Sequence, residues 1–453
     1  MKKHYCSVCF VVSLFLMFAA CGGGGGDGST KQSSKAADLR CDINGDGYPD
    51  LVIGAYYYGY YDADPIENEG RVYVFFGSSS GLPASPSQTI ESPLPDDIQG
   101  FGKYTVLDDF NDDGYSDLAV GNNYFSGGYN GHVFIFYGSS SGLSLTPGTA
   151  IKGADNSNLG GSLCSGDFNG DGVNDLAIGA SYNAGAVHVF YGSSAHIADC
   201  DLSTGGTADR SYAGGASETL GSSVIAGDFN GDSYDDLAAM AGDGSYVNIY
   251  NGSSTGLPAS YSTRRSSLAS DISPGCLAAG NVNGDAYDDL AVGAVSYVSS
   301  TGRVYVFHGS AAGVSATADQ TLTGEYTSDH FGTSLSIADA DNDGYGDLAV
   351  GAGTFRNGGI NQYWGAVYIY NGSSSGISAT ESSHLYGANH SDYLGTIVSF
   401  IDVNGDGNVD LYSLAEGYEH SADFFGRGYL YPGTASGISF VSTWYLDTEC
   451  SAP

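Results

Sequence analysis

Seven nine-residue segments of this chain follow the pattern D-x-N/D-x-D-G-x-x-D, with small departures, and each is followed directly by leucine. They begin at Asp42, Asp109, Asp167, Asp228, Asn281, Asp339 and Asp402. Carboxylates alternating along a tight loop suit a hard divalent cation such as Ca2+, which takes six to eight oxygens at about 2.3–2.6 Å. In the first copy Asp42, Asn44 and Asp46 direct three side-chain oxygens inward. The carbonyl of Tyr48 adds a fourth ligand, and Asp50 closes the set with both oxygens. Gly47 stands where the chain turns sharply, a conformation that costs least without a Cβ.

The spacings between successive copies are 67, 58, 61, 53, 58 and 63 residues, and self-similarity at such a period marks a solenoid, propeller or array. The rest of each unit repeats as well. Upstream lies an aromatic or leucine followed by glycine: Phe101-Gly102, Leu159-Gly160, Leu220-Gly221, Phe331-Gly332 and Leu394-Gly395. Downstream comes an apolar strand ending in small residues, as in 176–180 and 290–294. A β-branched and aromatic run follows, such as 72–76, 133–137 or 304–308. It ends in a turn of the Gly-Ser-Ser-Ser-Gly kind at 77–81 and 372–376, and a weaker fourth strand comes after, as at 88–90, 320–322 and 443–446. That predicts four strands per unit joined by glycine-rich turns, with no helical periodicity. Seven such units make an all-β, seven-bladed β-propeller, whose radial repetition limits exposed sheet edges. A pair of sandwiches would not need so regular a period.

The Phe-Gly opening, the Asp-rich loop and the Gly-Ala turn resemble the FG-GAP repeats of the integrin α-subunit N-terminal propeller, across residues 36–450. The resemblance implies calcium held between the first and second strands of each blade. It places the first ligand set on Asp42, Asn44, Asp46, Tyr48 and Asp50. The second is Asp109, Asn111, Asp113, Tyr115 and Asp117, and the third Asp167, Asn169, Asp171, Val173 and Asp175. The fourth is Asp228, Asn230, Asp232, Tyr234 and Asp236. The sixth is Asp339, Asp341, Asp343, Tyr345 and Asp347, and the seventh Asp402, Asn404, Asp406, Asn408 and Asp410. The fifth copy departs: Asn281 replaces the first aspartate and Ala286 the glycine, leaving Asn283, Asp285 and Asp289 and the weakest of up to seven sites. The fourth has Ser233 for glycine and reads Ala239-Met240-Ala241 at its turn. The first unit lacks the Phe-Gly opening.

Of the 51 acidic residues, 21 are loop ligands, and the formal charge is −37. Seven bound dications would bring it to about −23, still that of an acidic, solvated surface. With 14 Lys and Arg and no basic patch, nucleic acid is excluded as a partner. No segment beyond residue 20 is apolar for long enough to span a bilayer.

The first 20 residues have a basic start and a short apolar core and read as a signal peptide. Phe18-Ala-Ala-Cys21 resembles a bacterial lipoprotein cleavage box, with Cys21 as the lipidated residue. Residues 21–35 then form a Gly-rich tether. The expected destination is the outer membrane, by lipid anchor alone, with the periplasmic or surface side open. The alternative is an ordinary signal peptide with Cys21 incidental. Export fits an oxidising compartment, where Cys41, Cys164, Cys200, Cys276 and Cys450 form an odd set. In the strand order of the resembled family a Cys41–Cys450 staple is disfavoured, because the two lie near opposite faces.

The connections between second and third strands differ widely in length. Blades 3 and 4 have stubs at 181–185 and 241–245, while blades 6, 7, 1 and 2 have long loops at 354–364, 416–428, 56–70 and 122–131. Those loops carry Tyr57, Tyr60, Tyr124, Phe355, Trp364, Tyr418 and Phe425 among other aromatics. An exposed aromatic wall offers large contact area at low entropy cost. The reading is therefore a calcium-stabilised recognition or adhesion module binding protein or glycan ligands at the cell surface. The alternative is a polysaccharide-active, lyase-like enzyme on a calcium-binding propeller. No zinc-protease helix, nucleophile elbow or histidine pair is present, and no catalytic residue is singled out. A purely structural envelope component is the third possibility.

Overall fold

In a computed structural model of the chain, the strand-forming runs pair into seven blade sheets. The structure describes residues 41–56, 70–94, 100–123, 130–216, 218–242, 246–266, 275–356, 363–421 and 424–449, with backbone alone at 418–421, 424–425 and 447–449. The second sheet is typical: strands Phe101–Asp108, Asp117–Asn122, His132–Phe136 and Thr149–Lys152 lie side by side in chain order. Leu118 pairs with Phe136 and Val120 with Phe134 across the antiparallel ladder. The first sheet has three described strands, Leu51–Ala55, Arg71–Phe75 and Gln88–Glu91. The second strand of most blades is buried along its whole length. A blade packed on both faces by its neighbours needs an unbroken apolar run rather than alternation.

The ring closes by packing blade 7 against blade 1. Leu51, Ile53, Tyr56 and Phe75 share one buried cluster with Ile397, Val403, Tyr412 and Leu414. Trp444 of blade 7 meets the Phe75 ring edge-on at 5.1 Å and donates its indole N–H to the Pro83 carbonyl at 2.8 Å.

Two devices repeated around the ring set how closely the blades approach. The first joins glycines. The carbonyl of Gly102 in blade 2 lies so close to Gly54 of blade 1 that a Cβ there would overlap it, and Gly102 itself has φ +87°. Gly160 meets Gly121 in the same way, Gly221 meets Gly179, Gly332 meets Gly293, and Gly395 meets Gly351. The repeated Phe-Gly and Gly-Ala elements are thus two halves of one contact between neighbouring blades. At the two remaining seams both halves are missing together. Met240 and Leu414 stand at the Gly-Ala position of blades 4 and 7, and blades 5 and 1 lack the opening dipeptide.

The second device lies among the acidic loops. The seventh-position tyrosine of one loop covers the fourth-position glycine of the preceding blade's loop. A Cβ on Gly45 would lie 2.7 Å from Tyr115 Cε1, and Gly170, Gly231, Gly284 and Gly405 face Tyr234, Tyr287, Tyr345 and Tyr48. Where the glycine is replaced, so is the tyrosine: Asp112 precedes a loop bearing Val173, and Asn342 donates to Asn408 Oδ1 at 3.0 Å. Backbone bonds stitch the same seams, Ser116 N–H to Asp42 O at 2.9 Å and Gly346 N–H to Asn281 O at 2.8 Å among them.

Three features depart from expectation. The connection after the third strand of blade 3 reaches back, and Cys200–Asp201 pairs in parallel with Ile151 and Lys152 as a fifth strand on blade 2. The long 416–428 connection of blade 7 is not a loop but an extended hairpin of strands Asp410–Ser421 and Phe424–Tyr431. Blade 5 carries a short helical turn, Tyr297–Ser300. No described helix is long and apolar enough to cross a membrane. Cys164, Cys200 and Cys276 are free thiols, while Cys41 is disulfide-bonded to a cysteine outside the described residues. Cys450, the signal segment, Cys21 and the tether also lie outside them.

Candidate metal centres

In blades 2 to 7 the acidic loop connects the first strand to the second, in blade 1 it leads into Leu51–Ala55, and its own side chains hold it closed. Asp42 Oδ1 accepts the N–H groups of Gly45 and Asp46 at 2.7 and 3.1 Å, and Oδ2 that of Gly47 at 2.8 Å. Asn44 Oδ1 accepts Asp46 N–H at 2.9 Å, and Asp46 Oδ1 accepts Tyr48 N–H at 3.0 Å. Asp167 and Asp228 wrap their loops identically. Local bonds of this kind draw the oxygens of positions one, three and five to one side of a tight turn. In the fourth loop Ser233 takes the glycine's place with φ 68°, still donating to Asp228 Oδ2 at 2.9 Å.

The ninth-position aspartate ties the loop to the rest of the blade. Asp50 Oδ2 accepts the N–H of Ile43 at 2.8 Å, and Oδ1 that of Gly77, which opens the turn after the third strand, at 2.9 Å. Asp117 does the same with Phe110 and Gly138, and Asp175 with Phe168 and Gly192. Asp289, Asp347 and Asp410 repeat the pair. Acidic loops and Gly-Ser turns therefore share one face of the ring. All seven ninth-position aspartates, Asp236 of the fourth loop included, are buried. Burial, against two stabilising backbone bonds, pushes Asp50 and Asp410 up to about 7 and Asp117 and Asp175 up to about 8. Asp347 rises to about 7 and Asp236 to about 8 for the same reason. A buried carboxylate surrounded by like charge lacks a countercharge, which a cation supplies.

The donor sets fit such an ion. They present oxygen alone at five of the loop positions, and Asp236 Oδ2 is buried without a hydrogen-bond partner. In the sixth loop one oxygen each of Asp339, Asp341 and Asp347 lie within 4.8 Å of one another. The fifth loop fits least well. Asn281 Oδ1 still accepts Gly284 N–H at 2.7 Å, but its amide nitrogen donates to the Asp285 carbonyl where an aspartate would offer a second acceptor.

On the opposite face the aromatic residues divide. Phe355 does not belong to an exposed wall. It is 2% exposed, stacked on Tyr386 at 4.8 Å and edge-on to Tyr368, and serves the core. Tyr56, at the start of the long 56–70 loop, is also buried, and its hydroxyl donates to Glu416 Oε1 at 3.4 Å. Trp364 is half-buried, with its indole N–H shut off from solvent and unpartnered. Tyr363 stacks on Tyr393 at 5.5 Å and takes the Arg356 guanidinium over its ring. Tyr57, Tyr60, Tyr124 and the side chains of Tyr418 and Phe425 lie outside the described residues. Asp329 and Asp392 brace turns between blades by accepting the N–H groups of Tyr326 and Asn389.

A ring of seven blades, each with an acidic loop leading into its second strand, defines an acidic-loop β-propeller. Residues 39–75, 105–136, 159–190, 277–307 and 331–370 match the FG-GAP repeat family. These repeats and the likeness to integrin α chains support an FG-GAP, integrin α-like β-propeller. It is similar to phosphatidylinositol-glycan-specific phospholipase D of Rattus norvegicus, 29% identical over 73% of this chain and 45% of that protein. Integrin alpha-5 of Xenopus laevis is 31% identical over 49% of this chain and 22% of its own length, and integrin alpha-PS2 of Drosophila melanogaster 35% over 33% and 11%. The chain thus spans less than half the length of the curated relatives it matches. Propellers of this type generally take divalent cations.

Proposed function

We propose that this chain is a calcium-stabilised recognition module of the bacterial cell envelope, anchored by lipid on Cys21 and binding a protein or glycan through the face opposite its acidic loops. One observation carries the reading: the two faces are built differently. On the acidic face the ninth-position aspartate bonds to the turn after the third strand in the same way in all seven blades, and a loop tyrosine covers the preceding loop's glycine at five seams. That face is committed to holding the ring. On the other, connections range from the short turn after Ala180 to the extended hairpin of blade 7, and variable connections on a rigid scaffold are where binding residues collect. The similarity to integrin α propellers supports a ligand at this surface.

Calcium would sit in the loops on the residues named above, neutralising the buried ninth-position carboxylates; it supplies charge, and the chain's own residues supply recognition. The test is a binding screen of the full chain in calcium against polysaccharides and matrix proteins, with polysaccharide products weighed by mass spectrometry. Binding without turnover, lost when Trp364 and Tyr57 become alanine, is the expected result. Cleaved polysaccharide would replace recognition with catalysis. Labelling with a radioactive fatty acid, expected for the wild type and absent from Cys21→Ser, tests the anchor.

A further inference from the structure

The seam between blades 7 and 1 lacks the glycine–glycine approach found at five others, and Leu414 occupies the position of the missing glycine. Beside it, three blades bring ionisable groups together on the ligand face. Glu416 comes from the second strand of blade 7, Tyr56 from the end of the second strand of blade 1, and Lys103 from the start of the inner strand of blade 2. Tyr56 donates to Glu416 at 3.4 Å. Tyr393 lies against the backbone of Gly417, the next residue, and stacks on Tyr363. We propose that this cluster is a binding site for a neutral, hydroxyl-rich sugar unit, with Glu416 accepting hydroxyl hydrogens, Lys103 donating, and Tyr393 offering an aromatic face. This rests on the recognition reading above and names its ligand class.

Glu416 and Lys103 feel each other's charge, yet no ion pair joins them, and the Lys103 ammonium lies 5.2 Å from the centroid of the Tyr104 ring without a hydrogen bond among the described residues. Burial raises Glu416 to about 7, opposed by Tyr56 and Lys103, and lowers Lys103 to about 8, opposed by Glu416. Both residues keep partial contact with solvent, although their charged ends lie deep in the seam. Withdrawing an acid and an amine from water without pairing them costs stability, and a seam serving the fold alone would close the pair or fill the space with apolar side chains. An acid and an amine brought near each other at a seam but not paired suit a ligand that both donates and accepts. Sugar hydroxyls do both, and a few convergent polar groups beside aromatic rings are the usual make-up of a small-ligand pocket. The net charge of −37 disfavours polyanions, so the sugar is neutral rather than uronic.

The experiment measures affinity of the full chain in calcium for immobilised gluco-, manno- and galacto-oligosaccharides, with alginate and an unfractionated peptide library as the other arms. Wild type, Glu416→Gln, Lys103→Met and Tyr56→Phe are compared, each with its Tm. We expect one neutral series to bind and to weaken at least tenfold in Glu416→Gln and Lys103→Met, with Tm unchanged or raised. Tyr56→Phe keeps the packing and should weaken binding less, which tests the site even if a charge variant misfolds. Neutral sugar bound equally by all variants would overturn this site and leave the recognition reading intact. Binding of alginate or peptide alone would overturn the ligand class. No binding in any arm would overturn both.

Discussion

At the scale of single residues, the buried ninth-position aspartates govern how the protein responds to pH and to metal. Asp50, Asp117, Asp175, Asp236, Asp347 and Asp410 are raised from 3.8 to about 7 or 8. Between these values and the unfolded one the native state binds more protons than the unfolded chain, so stability falls as pH rises. Chelated protein should therefore melt highest near pH 4–5 and progressively lower towards pH 8. Calcium should abolish most of that slope, because the ion takes over the proton's role. Differential scanning fluorimetry across pH, with and without chelator, checks both trends; a chelated protein that gained stability towards pH 8 would contradict the burial argument. The fifth loop gives a second expectation. Asn281→Asp restores the missing carboxylate and should tighten that site about tenfold, since charge count tunes calcium affinity. Calcium titration calorimetry reads this directly. The ligand types of these loops were legible in the sequence from alternation alone. That Asp50 and its equivalents also bond to the turn after the third strand was not, because that contact joins residues 27 apart.

At the scale of the blade, the paired repeats are the structural core of the fold. Gly170 has φ +70° and lies under Tyr234 of the next blade. Gly170→Ala should cost about 1–3 kcal/mol as an overpacked contact at a backbone conformation that disfavours a side chain. Gly170→Asp with Tyr234→Val copies the natural Asp112 and Val173 pair and should cost less than the two changes summed. Urea denaturation of the four variants forms a double-mutant cycle, and strict additivity would show that the two positions are independent. Strand order and the four-strand unit followed from the repeated apolar and aromatic runs and the glycine-rich turns between them. The hairpin of blade 7 did not, because Glu416 to Gly428 contains several glycines and charges that read locally as loop. Phe355 was misplaced for a related reason: in a loop by sequence, it is buried by Tyr386 and Tyr368 from other strands.

At the scale of the whole molecule, seven loops that repel one another electrostatically sit on one face of a single closed ring. Removing bound cations should lower the melting temperature sharply. Each site at a hundredfold excess of ion over its dissociation constant stabilises the ring by about 2.7 kcal/mol. A melting curve unchanged by chelator would dispose of the metal assignment for all seven loops. Because the blade 7–blade 1 seam is closed by side-chain packing, Trp444→Ala should loosen it. It removes both the edge contact to Phe75 and the bond to Pro83, and should cost about 3–5 kcal/mol, the range for large aromatic truncations. Limited proteolysis should then cut first near the chain ends.

The sequence by itself determined the number of blades, their strand order and the chemistry of the acidic loops, because each is written in a local pattern repeated seven times. Tertiary structure alone decided which aromatic side chains remain at the surface and which acid lies near which amine. Tyr56, Lys103 and Glu416 belong to three blades and lie up to 360 residues apart. No periodicity records a meeting created only when the ring closes.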